Sequence, residues 1–135
     1  MPVRTRLYLL ACPPIAAFFI TSNDKENQVD LKALQSTLRQ FAAERDWQAF
    51  HTPKNLAMAL MVEAAELAEL FQWMTPEQSL AVAANPQVQE RAGEEIADVL
   101  LYLLQLADHT GVDIDRAVAR KLVMNGDKYP ALRRP

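Results

Sequence analysis

The sequence has few of the residues on which several common kinds of functional site depend. Cys12 is the only cysteine, so no intramolecular disulfide and no cysteine-based zinc cluster can form. The three glycines, Gly93, Gly111 and Gly126, stand too far apart to build a glycine-rich phosphate loop. Both the dinucleotide fingerprint and the Walker loop are therefore absent, and the scarcity of cysteine is typical of a reducing, cytoplasmic setting.

Composition and charge limit the size of the fold and the kind of partner. The 135 residues suffice for one domain, and half of them are hydrophobic, as in an ordinary soluble globule. Fourteen basic and seventeen acidic side chains give a net charge of -3, which offers no broad electropositive surface to a nucleic-acid backbone. A nucleic-acid polymer is therefore not an expected partner, whereas a small phosphorylated ligand is compatible with local neutralisation by a metal or a few cations.

Residues 7–20 form an apolar run behind Arg4 and Arg6 that superficially resembles a secretory signal. Prolines interrupt the run, and its fourteen residues fall short of the roughly 20 that span a bilayer, so no membrane association is expected. We expect residues 1–28 to be a disordered or loosely packed extension and residues 29–135 to form the functional domain. Export or lipid anchoring, based on a loose lipoprotein-box likeness ending at Cys12, is the less favoured alternative.

From Asp30 onwards the hydrophobic pattern is helical, without the alternation of period two that indicates strands. Asp30 is a candidate N-cap, Thr75 and Pro76 begin a short segment, and Gly111 and Asp113 separate the last two helices. The principal helices are predicted at about residues 30–47, 55–74, 87–109 and 113–125. Four helices with short connections predict an all-α four-helix bundle.

Acidic residues stand in two helices that are otherwise largely apolar. Glu63 and Glu66 belong to the second helix, where the acidic and amide side chains are too dispersed to form a compact solvent-facing stripe. In the third helix a narrow stripe, about 50° wide, contains Arg91, Glu95, Asp98, Tyr102, Gln105 and His109. The third helix is therefore expected at the centre of the domain or at a subunit interface. Simple exposure to solvent is the alternative for the acids of the second helix.

A bound cation explains why acids occur in both helices. Burial of Glu95 and Asp98 without compensation would be costly, so a positive charge is expected beside them. Mg²⁺ prefers carboxylate oxygens and is usually completed by water and substrate phosphates. A di-iron site of the bundle type needs Glu three residues before His, which neither His51 nor His109 has. The sequence therefore predicts a magnesium site formed by Glu63, Glu66, Glu95 and Asp98.

The paired acids and their flanking segments resemble a known superfamily. Glu63-x-x-Glu66, a gap of 28 residues and Glu95-x-x-Asp98 match the ExxE…ExxD signature of the MazG-like all-α NTP pyrophosphohydrolases. Within that superfamily the chain looks most like the dCTP pyrophosphatase type. Further matching positions between residues 30 and 130 are the segments 41–47, 50–56 and 69–73, Lys121, Asn125 and the segment 128–130.

The resemblance implies hydrolysis of a nucleoside triphosphate between the α and β phosphates, releasing the monophosphate and pyrophosphate. It also implies that the four acids hold Mg²⁺ and that one of the glutamates is a candidate general base. Members of this superfamily are expected to assemble as a homodimer or as a homotetramer made of two dimers. The almost entirely apolar third helix independently favours an oligomer.

Seven further residues are candidates for substrate binding because of the resemblance. Trp47 and Trp73 match the base pocket, where an aromatic face adds about 1 to 3 kcal/mol of stacking per base, and core packing is the alternative. The remaining candidates for contacts with base, sugar or phosphates are His51, Tyr102, Lys121, Asn125 and Lys128. For the last three, the alternative is a solvated, positively charged helix end.

One position departs from the family pattern. Eukaryotic dCTP-hydrolysing members carry a histidine nine residues before the tryptophan that matches Trp47, and this chain has Leu38 there. Preference for dCTP or a related pyrimidine dNTP is therefore a weaker expectation than the reaction, and dUTP or broad NTP hydrolysis stays open. The competing function is a non-catalytic helical module for dimerisation or regulation, which leaves the acids unexplained.

Overall fold

The computed structural model describes residues 29–132, and every regular element in that range is helical. The elements are α1 (Leu31–Ala43), α2 (Pro53–Phe71), α3 (Pro76–Leu80), a 3₁₀ turn (Ala81–Ala84), α4 (Pro86–Thr110) and α5 (Ile114–Lys128). The predicted all-α fold is confirmed, and the four predicted helices correspond to α1, α2, α4 and α5. The predicted extension at residues 1–28 and the end of the predicted domain at 133–135 lie outside the described residues. Among the described helices, none is both long and apolar enough to cross a membrane.

Each α-helix begins at a side chain that accepts a hydrogen bond from its first turn. The capping residues are Asp30, Thr52, Thr75, Asn85 and Asp113. In α2, α3 and α4 a proline follows the cap, at a position where the missing N–H has no partner to lose. The predicted starts near residues 55 and 87 are slightly late because Pro53 and Pro86 begin their helices.

The end of α1 differs from the prediction, since the helix stops at Ala43 rather than near residue 47. Asp46 has a φ of 55°, a left-handed conformation that aspartate tolerates better than most residues with a Cβ atom. The N–H of Trp47 donates to the carbonyl oxygen of Ala42 at 3.0 Å. This turn carries Trp47 back over α1, where its ring meets the Phe41 ring edge-on with centroids 5.6 Å apart.

α4 is the central helix, and α1 and α2 pack against it in opposite directions. Gln35 of α1 bonds to Leu104 of α4, and one turn later Arg39 pairs with Asp108, so α1 runs parallel to α4. The chain just before α2 lies beside the end of α4, whereas acids in the middle of α2 lie beside the first half of α4. α2 therefore runs antiparallel to α4.

The buried core is small and lies where α1, α2 and α4 meet. Its hydrophobic members are Leu38, Ala42, Leu56, Ala92, Tyr102, Leu104 and Ala107. α5 contributes no buried residue, and large apolar side chains of α2, α4 and α5 are exposed. Exposed apolar surface of this kind is typical of proteins that associate with another surface.

Candidate functional site

Three carboxylates from two helices form a compact cluster. Glu63 and Glu66 of α2 and Glu95 of α4 offer carboxylate oxygens that all lie within 4.8 Å of one another. The spacing of three residues puts Glu63 and Glu66 on neighbouring turns of one face of α2. The antiparallel packing of α2 and α4 then brings Glu95 opposite them. Three of the four predicted metal ligands are therefore together in the folded chain.

Asp98, the fourth predicted ligand, adjoins this cluster from the next turn of α4. Burial raises the pKa of its carboxyl group, and the negative charges of Glu66 and Glu94 raise it further. Burial likewise raises the pKa of Glu95, followed in importance by the charges of Glu66 and Asp98. The four acids thus lie in one region of negative potential.

Little positive charge within residues 29–132 compensates these acids. Arg91, one turn before Glu95, lowers the pKa of Glu95, but burial and the neighbouring acids outweigh it. In that part of the chain, Glu66, Glu95 and Asp98 form no ion pair with lysine or arginine. The Oε2 atom of Glu95 is buried and has no hydrogen-bond partner there. Because such an oxygen is costly to bury, the cluster fits a bound cation with a preference for hard oxygen donors.

An aromatic and imidazole cluster lies near the other end of α4. His51 is 4% exposed, and its ring centroid lies 6.0 Å from that of Trp47 and 6.4 Å from that of His109. Burial lowers the pKa of His51, and the nearby His109 lowers it further. His109 Nδ1 lies 2.9 Å from the backbone oxygen of Gln105, which can only accept, so Nδ1 carries the hydrogen. The lowered pKa of His51 favours its neutral form relative to an ordinary histidine.

A cleft of about 450 Å³ opens between α1 and α4 beside these rings. Leu38 and Ala42 line it from α1, Gln105 and His109 line it from α4, and His51 contributes to its wall. Leu38 and Gln105 are each only 5% exposed. An apolar wall with a few placed polar groups is typical of small-molecule sites.

Tyr102 lies between the acidic cluster and the cleft. Its side chain is buried, and it follows Asp98 and precedes Gln105 on the polar stripe of α4. From Asp98 to His109 the helix rises about 16 Å. The stripe predicted from the sequence therefore leads from the acids at one end to the cleft at the other.

Trp47 and Trp73 lie at opposite ends of α2. Trp47 precedes the helix and contacts the Phe41 and His51 rings, whereas Trp73 follows the helix and is 87% exposed. The 19 residues of α2 span about 28 Å. The two tryptophans of one chain therefore do not face a common ligand.

The three predicted phosphate-contacting residues all lie on α5. Lys121, Asn125 and Lys128 are separated by four and three residues, so they share one face of the helix. All three are exposed, and α5 packs extensively against no other described helix. The described part of the chain does not bring them to the acidic cluster.

The residues that join α1 to α4 were not predicted from the sequence. The sequence positions of Gln35, Arg39 and Asp108 did not predict contacts between helices, because polar residues on amphipathic helices usually face solvent. Gln105, in contrast, belongs to the polar stripe of the third predicted helix. Leu38, already recognised as a departure from the family pattern, proves to line the same cleft as Gln105.

The fold and the acidic cluster define an all-α protein with a site able to hold a metal ion. The chain belongs to the MazG-like family, whose sequence model matches residues 58–134, more than half of the chain. The membership predicted from the paired acids and their flanks is thus confirmed.

Named relatives support the same assignment. The dCTP pyrophosphatases 1 of Rattus norvegicus and Homo sapiens are each 47% identical to this chain, over 67% and 68% of its length respectively. The aligned region makes up 54% of each of those proteins, so the chain spans about half the length of these curated relatives. The crystal structure of a pyrophosphatase from Archaeoglobus fulgidus superimposes with a TM-score of 0.70 at 39% identity, covering 78% of this chain and 97% of that one.

Proposed function

We propose that this protein is a Mg²⁺-dependent nucleoside triphosphate pyrophosphohydrolase that cleaves a dNTP, with dCTP or a related pyrimidine nucleotide as its substrate. The observation that carries the proposal is the convergence of Glu63, Glu66 and Glu95, with one buried Glu95 oxygen lacking a hydrogen-bond partner among the described residues. The names of the relatives, dCTP pyrophosphatase and pyrophosphatase, support the reaction. The single cysteine supports a cytoplasmic setting.

Glu63, Glu66, Glu95 and Asp98 would hold the Mg²⁺ ion. Their oxygens are the hard donors that this ion prefers. Burial, and then the charges of neighbouring acids, raise the pKa of Glu95 and of Asp98, and a bound cation would relieve both effects. When bound, the ion supplies neutralisation of the phosphate charge and polarisation of the phosphoryl group.

The protein's own groups take up the proton that the hydrolysis releases. A water oxygen forms the new bond to phosphorus while the bridge between the α and β phosphates breaks, and a proton leaves that water. A glutamate of the cluster is the proton acceptor, since a carboxylate beside the phosphates can act as a general base.

The nucleotide is oriented along the polar stripe of α4. Its phosphates lie at the acidic cluster, Tyr102 lies beside the sugar, and its base enters the cleft near Trp47 and His51. The distance of about 16 Å along α4 suits a ligand with charge at one end and a flat ring at the other. Trp47 supplies an aromatic face for stacking.

Assembly as a homodimer, or as a homotetramer of two dimers, completes the site. Val118, Leu122, Val123 and Met124 of α5 are each at least half exposed, and a second copy covers apolar surface of this kind. In such an assembly Trp73, Lys121, Asn125 and Lys128 reach the nucleotide held by another subunit. This arrangement accounts for site residues that one chain keeps apart.

The proposal is tested by incubating the purified chain with a panel of dNTPs and NTPs, with and without Mg²⁺, and assaying pyrophosphate. Release that requires Mg²⁺ and is greatest with a pyrimidine dNTP is the expected result. Absence of release with every nucleotide would leave the helical dimerisation module as the function. Size-exclusion chromatography with light scattering tests the oligomer, and a monomer would contradict it.

A further inference from the structure

Gln105 has a buried polar side chain, as does His51. It is 5% exposed and lines the cleft between α1 and α4. A buried amide is stabilising only when its donor and acceptor atoms both have partners. The surroundings of Gln105 therefore indicate what a ligand in this cleft must offer.

The helix backbone determines how the amide of Gln105 is oriented. Its Nε2 atom donates to the carbonyl oxygen of Leu101, one turn earlier, at 3.4 Å. A carbonyl oxygen can only accept, so the nitrogen must be the atom that faces it. The amide oxygen, Oε1, is then left as the acceptor of this side chain.

Besides Gln105, the polar residues that line the cleft include Gln48 and two residues of α1, Gln35 and Arg39. Both α1 side chains already have partners. Gln35 Nε2 donates to the carbonyl oxygen of Leu104 at 3.0 Å, and Arg39 pairs with Asp108 at 2.6 Å. Leu38 and Ala42, which also line the cleft from α1, present only carbon atoms. Leu38 and Ala42 thus give the cleft an apolar surface on which a flat ring can pack.

We propose that Gln105 is a specificity-determining residue whose Oε1 atom accepts a hydrogen bond from an exocyclic amino group of the nucleobase. Cytosine carries such an amino donor at the position where uracil carries a carbonyl acceptor. Uracil would place an acceptor against Oε1, with no hydrogen between them. The site therefore selects cytosine over uracil. The effect of this selection on turnover rests on the proposed function, whereas its effect on the binding of the base can be measured without any reaction.

The catalytic test compares kcat/KM for dCTP and dUTP in the wild type and in Gln105→Met, which keeps the length of the side chain but removes both amide atoms. We expect the wild type to prefer dCTP by roughly 10-fold to 100-fold, the range of one good base contact. In Gln105→Met the ratio falls to about 1, through a higher KM for dCTP. Gln89→Met, at an exposed position of the same helix, is the control and keeps the wild-type ratio.

A binding measurement separates this inference from the proposed reaction. Isothermal titration with dCMP and dUMP in the presence of Mg²⁺ needs no turnover, and circular dichroism verifies that Gln105→Met is folded. Loss of the dCMP preference in that variant supports the role of Gln105 even if no nucleotide is hydrolysed. Absence of hydrolysis would contradict only the proposed reaction. A dCMP preference retained in Gln105→Met would overturn the proposed role of Gln105. Equal binding of dCMP and dUMP by the wild type would overturn it without any variant.

Discussion

Arg39 and Asp108 form an ion pair between α1 and α4, with 2.6 Å between Nη1 and Oδ1. One turn earlier on both helices, Gln35 donates to the carbonyl oxygen of Leu104. Two contacts at the same offset allow only one register of α1 along α4. That register places Leu38 in the wall of the cleft that Gln105 lines.

Arg39→Met should lower the free energy of unfolding by about 0.5 to 1 kcal/mol, because the side chains are partly exposed and solvent screens their attraction. Urea denaturation followed by circular dichroism measures the change. The control is Arg120→Met on exposed α5, which should have no effect. If Asp108→Asn is equally destabilising with and without Arg39, the two charges are not coupled and the ion pair does not stabilise the fold.

Glu95→Gln should reduce turnover at least about 100-fold, since an ion held at the site supplies several kcal/mol to the transition state. The same change should raise the Tm of the metal-free chain, because burial and neighbouring acids disfavour the charged form of Glu95. Pyrophosphate assay and thermal denaturation in EDTA measure the two effects. Glu90→Gln, at an exposed position five residues earlier on the same helix, should change neither. A lower Tm for metal-free Glu95→Gln would contradict the electrostatic argument.

Mg²⁺ should stabilise the wild-type chain in a concentration-dependent way. An ion that binds only the folded state adds about 2.7 kcal/mol at one hundred times its Kd. Thermal denaturation over a range of MgCl₂ concentrations measures this effect, with NaCl at equal ionic strength as the reference. Asp98→Asn should shift the response to higher Mg²⁺. An equal response in wild type and Asp98→Asn would remove Asp98 from the proposed ligands.

Stability should fall as the pH is lowered through the ordinary histidine pKa of 6.5, because the folded-state pKa of His51 is lower. Between those two values the unfolded chain binds a proton at this residue and the folded chain does not, so protonation favours unfolding. His51→Gln should reduce this slope. Urea denaturation at a series of pH values from about 5 to 8, a range that includes the ordinary histidine pKa, measures the pH dependence of stability. An unchanged slope in His51→Gln would assign the pH dependence to other groups.

Asp46→Gly should raise the free energy of unfolding, by up to about 1 kcal/mol, because Asp46 has a φ of 55° and glycine adopts that conformation without steric cost. Glu44→Gly is the control, since Glu44, the C-cap of α1, has a φ of -63°, a right-handed conformation that needs no glycine. There glycine should destabilise, by about 0.5 to 1 kcal/mol. Chemical denaturation compares the two, and a shift of the same sign in both would contradict the backbone explanation.

Local sequence predicted the helices well because their signals lie within a few residues of each other. Caps at Asp30, Thr75 and Asp113 depend on a side chain meeting an N–H two or three residues later. Gly111 ends α4 in the left-handed conformation expected of a glycine C-cap. The end of α1 was placed too far along the chain, because the left-handed turn at Asp46 has no strong local signature.

The placement of each pair of acids on one helix face could also be predicted, since a step of three residues puts two carboxylates on the same face whatever surrounds the helix. The sequence by itself therefore determined the helical fold, the pairing of Glu63 with Glu66 and of Glu95 with Asp98, and the polar stripe of α4. Only the tertiary structure decided that the two helices bring Glu63, Glu66 and Glu95 within 4.8 Å. It also decided that Gln105 lines a cleft with Leu38. The physical reason is that helix pairing and register depend on contacts between residues far apart in the chain, which periodicity does not encode.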